Sequence, residues 1–435
     1  KKIKLEELDQ ILLDICGVYL EASVNTSTAT AGESISVAIE LTNRSNETFQ
    51  ISLLPNQILQ TEENKITLNK DDSKSVKASL QIPAIYEAST PYYLKEEGSL
   101  GMYQFKDRKL TGQPETAPDF VVRTMMEIQG TQLYREIPII HKHTDPVRGE
   151  VNEPFYIVPE VAVSIQNPVY IFSGDDAQPI QVTIKANKKM PQGNLELLPP
   201  DGWNITPQDF GFENLEKGEE KTYTFQVQPP KKASRGVISG LVKIGLQTFN
   251  QEVIKINYDH IPDQQLVRNS ASQVVKPGLI NRANTVAYIN GAGDDVAQAI
   301  EAIGSKVFKF EPNEVPDDLS KYDAVVVGIR AFNVSENDMD ALQPRLDSYV
   351  NNGGTLLMQY NTSRRISPDA LGPLPITLSR KRVTDENATV TILEPQHKIM
   401  TAPNAITSTD FTGWVQERGL YFPEQWDAAF TPILG

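Results

Sequence analysis

Leu5, Leu8, Ile11, Leu12, Ile15 and Leu20 fall near the i, i+3, i+4, i+7 spacing, which predicts an amphipathic helix over residues 1–20. Its apolar stripe needs a cover, and no other helix-period segment follows until about residue 294. The helix is therefore expected to pack on the next domain or on a domain outside this chain. From residue 21 the period becomes two. Ile35, Val37, Ile39 and Leu41 alternate with polar residues, as do Phe49, Ile51 and Leu53, then Val76, Ala78, Leu80 and Ile82. That alternation marks half-buried antiparallel strands, with turns such as Asn43-Arg44-Ser45-Asn46 between them. After a Pro-, Gly- and Tyr-rich excursion from Pro91 to Pro118, strands from Val121 to Ile128 and from Tyr134 to Ile140 complete a first Ig-like β-sandwich over 21–148. An excursion of this length is expected to cover a domain interface.

A second Ig-like β-sandwich is predicted over 149–258. Its strands are Val161–Ile165, Val169–Phe172, Ile180–Ala186, Asn194–Leu198, Thr222–Gln228, Val237–Ile244 and Glu252–Tyr258. Residues 259–283, with Pro262, Pro277 and little periodicity, read as a linker. From residue 284 to 435 strands and helices alternate. Thr285–Ile289 is a strand, Asp294–Ile303 a helix stopped by Gly304, and Val307–Phe310 a second strand. Ala324-Val325-Val326-Val327 is a continuous apolar run, as in a parallel strand buried on both faces. Ser335 and Asp338 open a helix with a capping-box-like pair, Asn352-Gly353-Gly354 ends it, and Thr355–Gln359 is a further strand. This is the grammar of a doubly wound α/β domain. It reads as cut short, because Pro432-Ile433-Leu434-Gly435 is reached without a closing strand and helix.

The length of 435 residues suits two to four domains at about 100–200 residues each. Hydrophobic residues at 39% and charged residues at 22% are those of a folded soluble protein. Forty-one Lys and Arg against 56 Asp and Glu give a net charge of −15, which opposes the counterion release that drives phosphate-backbone binding. Nucleic acid and anionic membrane are thereby poor partners. No stretch reaches the roughly 18–20 apolar residues of a membrane span. Lys1-Lys2-Ile3-Lys4 does not lead into an apolar signal segment, so a signal peptide is absent or was removed upstream. Cys16 is the single cysteine and allows neither an internal disulfide nor a thiolate metal cluster.

Candidate chemistry concentrates where the α/β pattern puts loops at a sheet's C-terminal edge. Gly291-Ala292-Gly293-Asp294-Asp295 follows the first strand and has two readings. In one, Gly291 and Gly293 let backbone N–H groups reach an anion, although Val296 stands where a dinucleotide fingerprint has Gly or Ala. In the other, the stretch is a tight turn whose Asp294 or Asp295 caps the helix. Arg330, then Tyr360, Asn361 and Thr362, follow the third and fourth strands and either bind a carboxylate or sugar or, as polar residues at most strand ends do, only cap the strands. No Ser or Cys sits in a nucleophile elbow. His141 and His143 project to one face of a strand, but without a familiar ligand partner they read as solvated surface. His260 reads as a structural corner, and His397 as a general base whose partner the sequence does not show. Trp203 reads as core, while Trp414 and Trp426 lie in irregular sequence and divide between core and sugar stacking.

Several stretches taken together carry a resemblance. They are Tyr92–Leu94 with Gly101-Met102-Tyr103 and Gly112–Glu115, Thr144–Glu150, Ile256–Pro262, Gly291–Asp294, Gly328–Asn333, Gln359–Thr362 and Arg382–Ala388. Nearly the whole chain resembles the long region that follows the catalytic domain in multidomain PIG-L (LmbE-like) deacetylases of Bacteroidetes-type bacteria. The middle unit is similar to a β-sandwich module found beside some α-galactosidases, and the last domain resembles class I glutamine amidotransferase-like folds. In that superfamily a nucleophilic cysteine follows the strand that here ends near Gln359, where this chain has Tyr360-Asn361. The family's catalytic domain binds zinc and removes an N-acetyl group from an amino sugar with metal-activated water. Its His-Pro-Asp-Asp run is absent here. The resemblance therefore implies no cofactor and no catalytic residue in this chain, zinc only in a catalytic domain upstream of Lys1, that domain and a glycan or cell-envelope polysaccharide as partners, and a periplasmic or secreted location. The rival reading makes the α/β domain itself a small-ligand-binding or hydrolase domain using Arg330, Tyr360, Asn361 and His397.

Overall fold

The N-terminal stripe forms helix α1 (Lys2–Ile15), shorter than its spacing predicts. Gly17 stops it at φ +65°, a left-handed conformation that glycine adopts without steric cost. Leu20 belongs instead to strand β1 (Val18–Val24). Leu13 is buried and Leu12 and Cys16 pack beside it on the first sandwich core, so α1 covers the domain that follows it. Leu5, Leu8, Ile11 and Ile15 remain exposed.

The structure, a computed structural model, describes residues 2–54, 56–99, 101–128, 130–364, 366, 371–385, 387–414 and 419–435. One unit comprises Lys1–Pro168, Gln178–Val227 and Val237–Ser272; the other comprises Val169–Ala177, Gln228–Gly236 and Gln273–Gly435. The chain is β-rich and multidomain, and no helix among the described residues is long and apolar enough to cross a membrane.

In the first unit, strands β2 (Ser34–Asn43), β3 (Ser73–Gln81), β4 (Val121–Ile128), β5 (Thr131–Asp145) and β6 (Gly149–Pro154) build the first sandwich with β1 and three shorter strands. The hydrogen-bonded order is Leu59–Thr61, β3, β2, β1, β5, β4, Phe49–Leu53, Lys65–Leu68, with β6 on β5. Neighbours are antiparallel except β1 and β5, which run parallel with Ala22 beside Ile139. Ile35, Val37, Ile39 and Leu41 of β2 are all buried, as their alternation predicts. Because β6 pairs with β5 from Gly149 opposite Asp145 to Pro154 opposite Ile140, the first sheet runs past the expected boundary at 148.

The same unit holds a sheet of Val161–Ile165, Gln178–Ala186, Glu220–Gln228 and Asn204–Thr206. Met190–Leu198 pairs there with Asp209–Leu215 and with Ser234–Ile244. Phe225, Ile184, Leu195 and Trp203 are buried. Residues 259–283 are not a plain linker. Gln264–Asn269 pairs antiparallel with Gln251–Ile256, and Ala271–Lys276 is a further strand. The alternation was hidden because buried positions here carry Gln265, Ser270 and Ser272. Gln265 Nε2 donates to Ser89 O at 3.1 Å and Ile157 O at 3.2 Å, and Val267 N donates to Thr90 Oγ1 at 2.7 Å. The Pro91–Pro118 excursion lies against this strand, with Tyr93 Oη donating to Gln264 Oε1 at 3.2 Å.

In the second unit, β7 (Thr285–Ile289), β8 (Lys306–Phe310), β9 (Ala324–Val327) and β10 (Leu356–Met358) form an all-parallel sheet of order β8-β7-β9-β10. Helices cover both faces. Ala287, Ile289, Val325 and Val327 meet Met339, Leu342 and Leu346 of α3 (Glu336–Asn351). Val286, Tyr288 and Val326 meet Ala297 and Ile300 of α2 (Val296–Ala302). The Ser335 side chain makes no cap bond, so the expected capping box does not form, and Asp338 acts with Glu336 only as negative charge in the first turn. After β10, Ile376–Leu378 pairs with Pro423–Trp426 and Arg382–Val383 with Gly419–Leu420, both antiparallel.

Candidate functional site

The parallel order reverses between β7 and β9, and the crevice at their C-terminal ends is where such sheets usually bind ligands. Two glycines let the chain close there. A Cβ on Gly291 would stand 2.2 Å from Ile329 O, and Ala292 N donates to that oxygen at 2.8 Å. Gly293, at φ +100°, turns the chain so that Asp294 latches the two loops. Its Oδ1 accepts from Tyr288 Oη at 2.5 Å and Val296 N at 2.9 Å. Its Oδ2 accepts from Ile329 N at 3.2 Å and Gln359 Nε2 at 3.4 Å. Burial alone would raise the Asp294 pKa, yet these four donors together hold it below the ordinary 3.8. Burial and the Asp294 bond push the Tyr288 phenol up. An incoming anion would meet a carboxylate here, with the Val296 and Ile329 N–H groups already engaged. Asp295 occupies the N-cap position of α2 without a side-chain cap bond.

Asp294→Ala is expected to cost about 1–2 kcal/mol near neutral pH, a charge-assisted network discounted for its solvent exposure. A depressed carboxylate pKa stabilises the fold above the unfolded value and loses that effect as pH falls through the folded one. The gap between wild type and variant in urea midpoint should therefore close as pH drops below 3.8. A gap that widened in acid would contradict the latch.

Tyr360 and Asn361 lie at the end of β10 and line a cleft of about 660 Å³ within the second unit. Tyr360 stacks on Tyr421, with ring centroids 6.0 Å apart at 26°, and Phe422, Arg382 and Thr384 also line the cleft. Asn361 is 4% exposed. Its Nδ2 donates to Gln359 O at 3.0 Å, while its Oδ1 is buried with no partner among the described residues. The described lining includes no His, Cys, Asp or Glu. Its described lining offers rings, an amide and a guanidinium.

Other expected site residues lie apart from this lining. Arg330 is exposed, adopts φ +56° and donates its backbone N–H to Tyr360 O at 2.8 Å. Its guanidinium makes no hydrogen bond or ion pair among the described residues. Trp414 is 47% exposed and stacks on Phe411 at 5.7 Å. His397 accepts at Nδ1 from Ile399 N at 3.3 Å and so caps the turn Lys398–Thr401. Arg382 enters the sequence reading only within a family-like stretch, and Tyr421 and Phe422 do not enter it. The one signal of the two rings is the aromatic pair Tyr421-Phe422 in otherwise irregular sequence.

The first unit holds its own cleft, of about 590 Å³, lined by Tyr86, Ser89, Tyr93, Asp119 and Tyr156 among others. Burial raises the Asp119 pKa although Ser89 and Tyr86 donate to its carboxylate. Burial also pushes the phenols of Tyr86 and Tyr156 up to about 12. Ser89 Oγ accepts from Ile157 N at 2.6 Å as well as donating to Asp119, so the polar groups of this network largely satisfy one another. On the strand surface beside it, His141 and His143 are half-buried rather than solvated, and Glu153 of β6 joins them.

No family model matches the chain, and no curated protein matches it. Solved structures overlap it only loosely. A Porphyromonas gingivalis W83 protein of unknown function, 9% identical, aligns over 60% of this chain and 99% of its own with a TM-score of 0.19. The native conformation of E. coli alpha-2-macroglobulin, 11% identical, aligns over 60% of this chain and 17% of its own with a TM-score of 0.21. The C. elegans MSP family member WR4, 9% identical, aligns over 26% of this chain and 96% of its own at 0.16. Similarity at this level carries nothing about function.

Proposed function

We propose that this chain is the non-catalytic accessory region of a zinc-dependent PIG-L (LmbE-like) N-deacetylase acting on amino-sugar substrates, and that the cleft beside β10 holds a glycan. The observation that carries this reading is the lining of that cleft. Paired tyrosine rings suit the apolar face of a sugar, while Asn361, Thr384 and Arg382 suit its hydroxyl, amide and acidic groups. Two further features support the parent assignment. Tyr93, Glu115 and Pro262, from three stretches that carry the family resemblance, line one cleft of the first unit. The exposed Leu5, Leu8, Ile11 and Ile15 of α1 offer the kind of surface that an adjoining catalytic domain covers. In this reading the α/β domain has a class I glutamine amidotransferase-like fold with Tyr360-Asn361 in place of the nucleophile, and the protein works in the periplasm or outside the cell.

Calorimetric titration of the chain with N-acetylglucosamine oligomers and cell-envelope glycans tests the cleft. Saturable binding is expected, weakened by about tenfold or more, roughly 1.4 kcal/mol, in Tyr421→Ala and unchanged by a chelator. Absence of saturable binding to every amino-sugar polymer, or binding indifferent to Tyr421→Ala and Tyr360→Ala, would remove the glycan role.

A further inference from the structure

We infer that His141, His143 and Glu153 form a binding site for one divalent transition-metal ion of the zinc type, clipping the edge strand β6 to β5. The two histidines are two residues apart on β5, so both side chains leave the same face. β6 runs antiparallel beside them with Glu153 directly opposite His141, which puts the carboxylate on that face as well. The imidazole rings stack with centroids 5.0 Å apart at 18°, and one ligand atom from each of the three residues lies within 4.8 Å of the other two. His141 Nδ1 stands 3.0 Å from Glu153 Oε2. Adjacent donors around a tetrahedral ion with bonds of about 2.1 Å stand about 3.4 Å apart, so this pair lies within reach of a single ion that takes the place of their mutual hydrogen bond.

A second observation points to a missing ligand. His143 Nδ1 is buried and has no hydrogen-bond partner among the described residues, and a buried polar atom is costly to leave unmatched. A cation bound at that nitrogen would supply its partner. The surroundings favour one. His141 and Glu153 side chains are only 16% and 28% exposed, Val24 lies beside His141 on β1, and Val151 lies opposite His143 on β6. Lys142, the nearest cation along β5, is engaged by Glu21 and Glu150 at 2.8 and 3.0 Å. Asp145 accepts from the Val147 and Arg148 N–H groups in its own turn. Two imidazoles and one carboxylate suit zinc, cobalt or nickel better than calcium or magnesium, which prefer all-oxygen sites. This site is independent of the glycan cleft, whose residues all belong to the second unit.

The full chain, stripped with a chelator and desalted, is titrated with zinc chloride by calorimetry and loaded in parallel with cobalt(II) for visible absorption. One zinc per chain is expected, with a raised melting temperature that the chelator reverses. Zinc affinity should fall by about tenfold or more in both His143→Ala and Glu153→Gln, and the visible cobalt bands should fade. Metal-free melting of Glu153→Gln, a near-isosteric change, should match the metal-free wild type, so that loss of binding is separated from loss of fold. No saturable zinc uptake by the wild type, or uptake that both variants retain, overturns the site.

Discussion

Gln265→Ala should lower the stability of the first unit by about 2 kcal/mol, as a shift of its urea midpoint, although the residue lies in sequence that reads as a linker. The side chain is 2% exposed and its amide donates to the carbonyls of Ser89 and Ile157 at 3.1 and 3.2 Å. Ile157 O keeps a second donor, Ser89 N at 2.8 Å. Ser89 O would lose the bond from Gln265, and a buried acceptor left unmatched costs roughly 1–3 kcal/mol. The deleted side-chain volume leaves a cavity as well. Gln264→Ala is the control. Its half-buried amide accepts one bond, from Tyr93 Oη at 3.2 Å, and its loss should cost less than about 1 kcal/mol. Equal effects from the two neighbours would show that the strand is not held through Gln265.

Gly291→Ala should destabilise the α/β domain by about 3 kcal/mol or more. The added methyl would meet Ile329 O at 2.2 Å and Gly328 C at 2.9 Å. Both are backbone atoms at the reversal of the sheet order, so no flexible side chain can swing aside. Relief requires the β7 and β9 ends to separate, and the Ala292 N to Ile329 O bond at 2.8 Å would go with it. Gly293→Ala probes a different cause. It meets open space but keeps φ +100°, so backbone strain alone applies, at about 1–2 kcal/mol. Thermal and chemical unfolding of both variants should rank Gly291 well above Gly293, and the reverse ranking would mean that the close approach is not what closes the edge.

The elements that were legible are those in which burial and hydrophobicity coincide. β2 shows its inward residues as Ile35, Val37, Ile39 and Leu41, and β9 shows its two-sided burial as three consecutive valines. Gln264–Asn269 and Ala271–Lys276 were illegible for the opposite reason: the buried positions in and between them include Gln265, Ser270 and Ser272, and Gln265 and Ser272 donate to backbone carbonyls. β6, with its sequence Gly-Glu-Val-Asn-Glu-Pro, lies at an edge with no fully buried residue, so nothing in its pattern signals pairing. Sites follow the same rule. Tyr360 and Asn361 could be found because a strand end points to them, whereas Tyr421 and Phe422 reach the cleft from irregular sequence. The same-face placement of His141 and His143 is visible in the spacing, but Glu153 joins them only through the β5–β6 register, which one sequence does not specify.

The parallel pairing of β1 with β5 has a consequence for synthesis. While the chain emerges from the ribosome, β1 can zip onto β2 almost at once, yet its other edge stays bare until Ile139 and its neighbours have been made. During that interval the nascent polypeptide presents an open template for strand addition by a stranger, and the Lys142 to Glu21 contact at 2.8 Å forms only when the latecomer arrives.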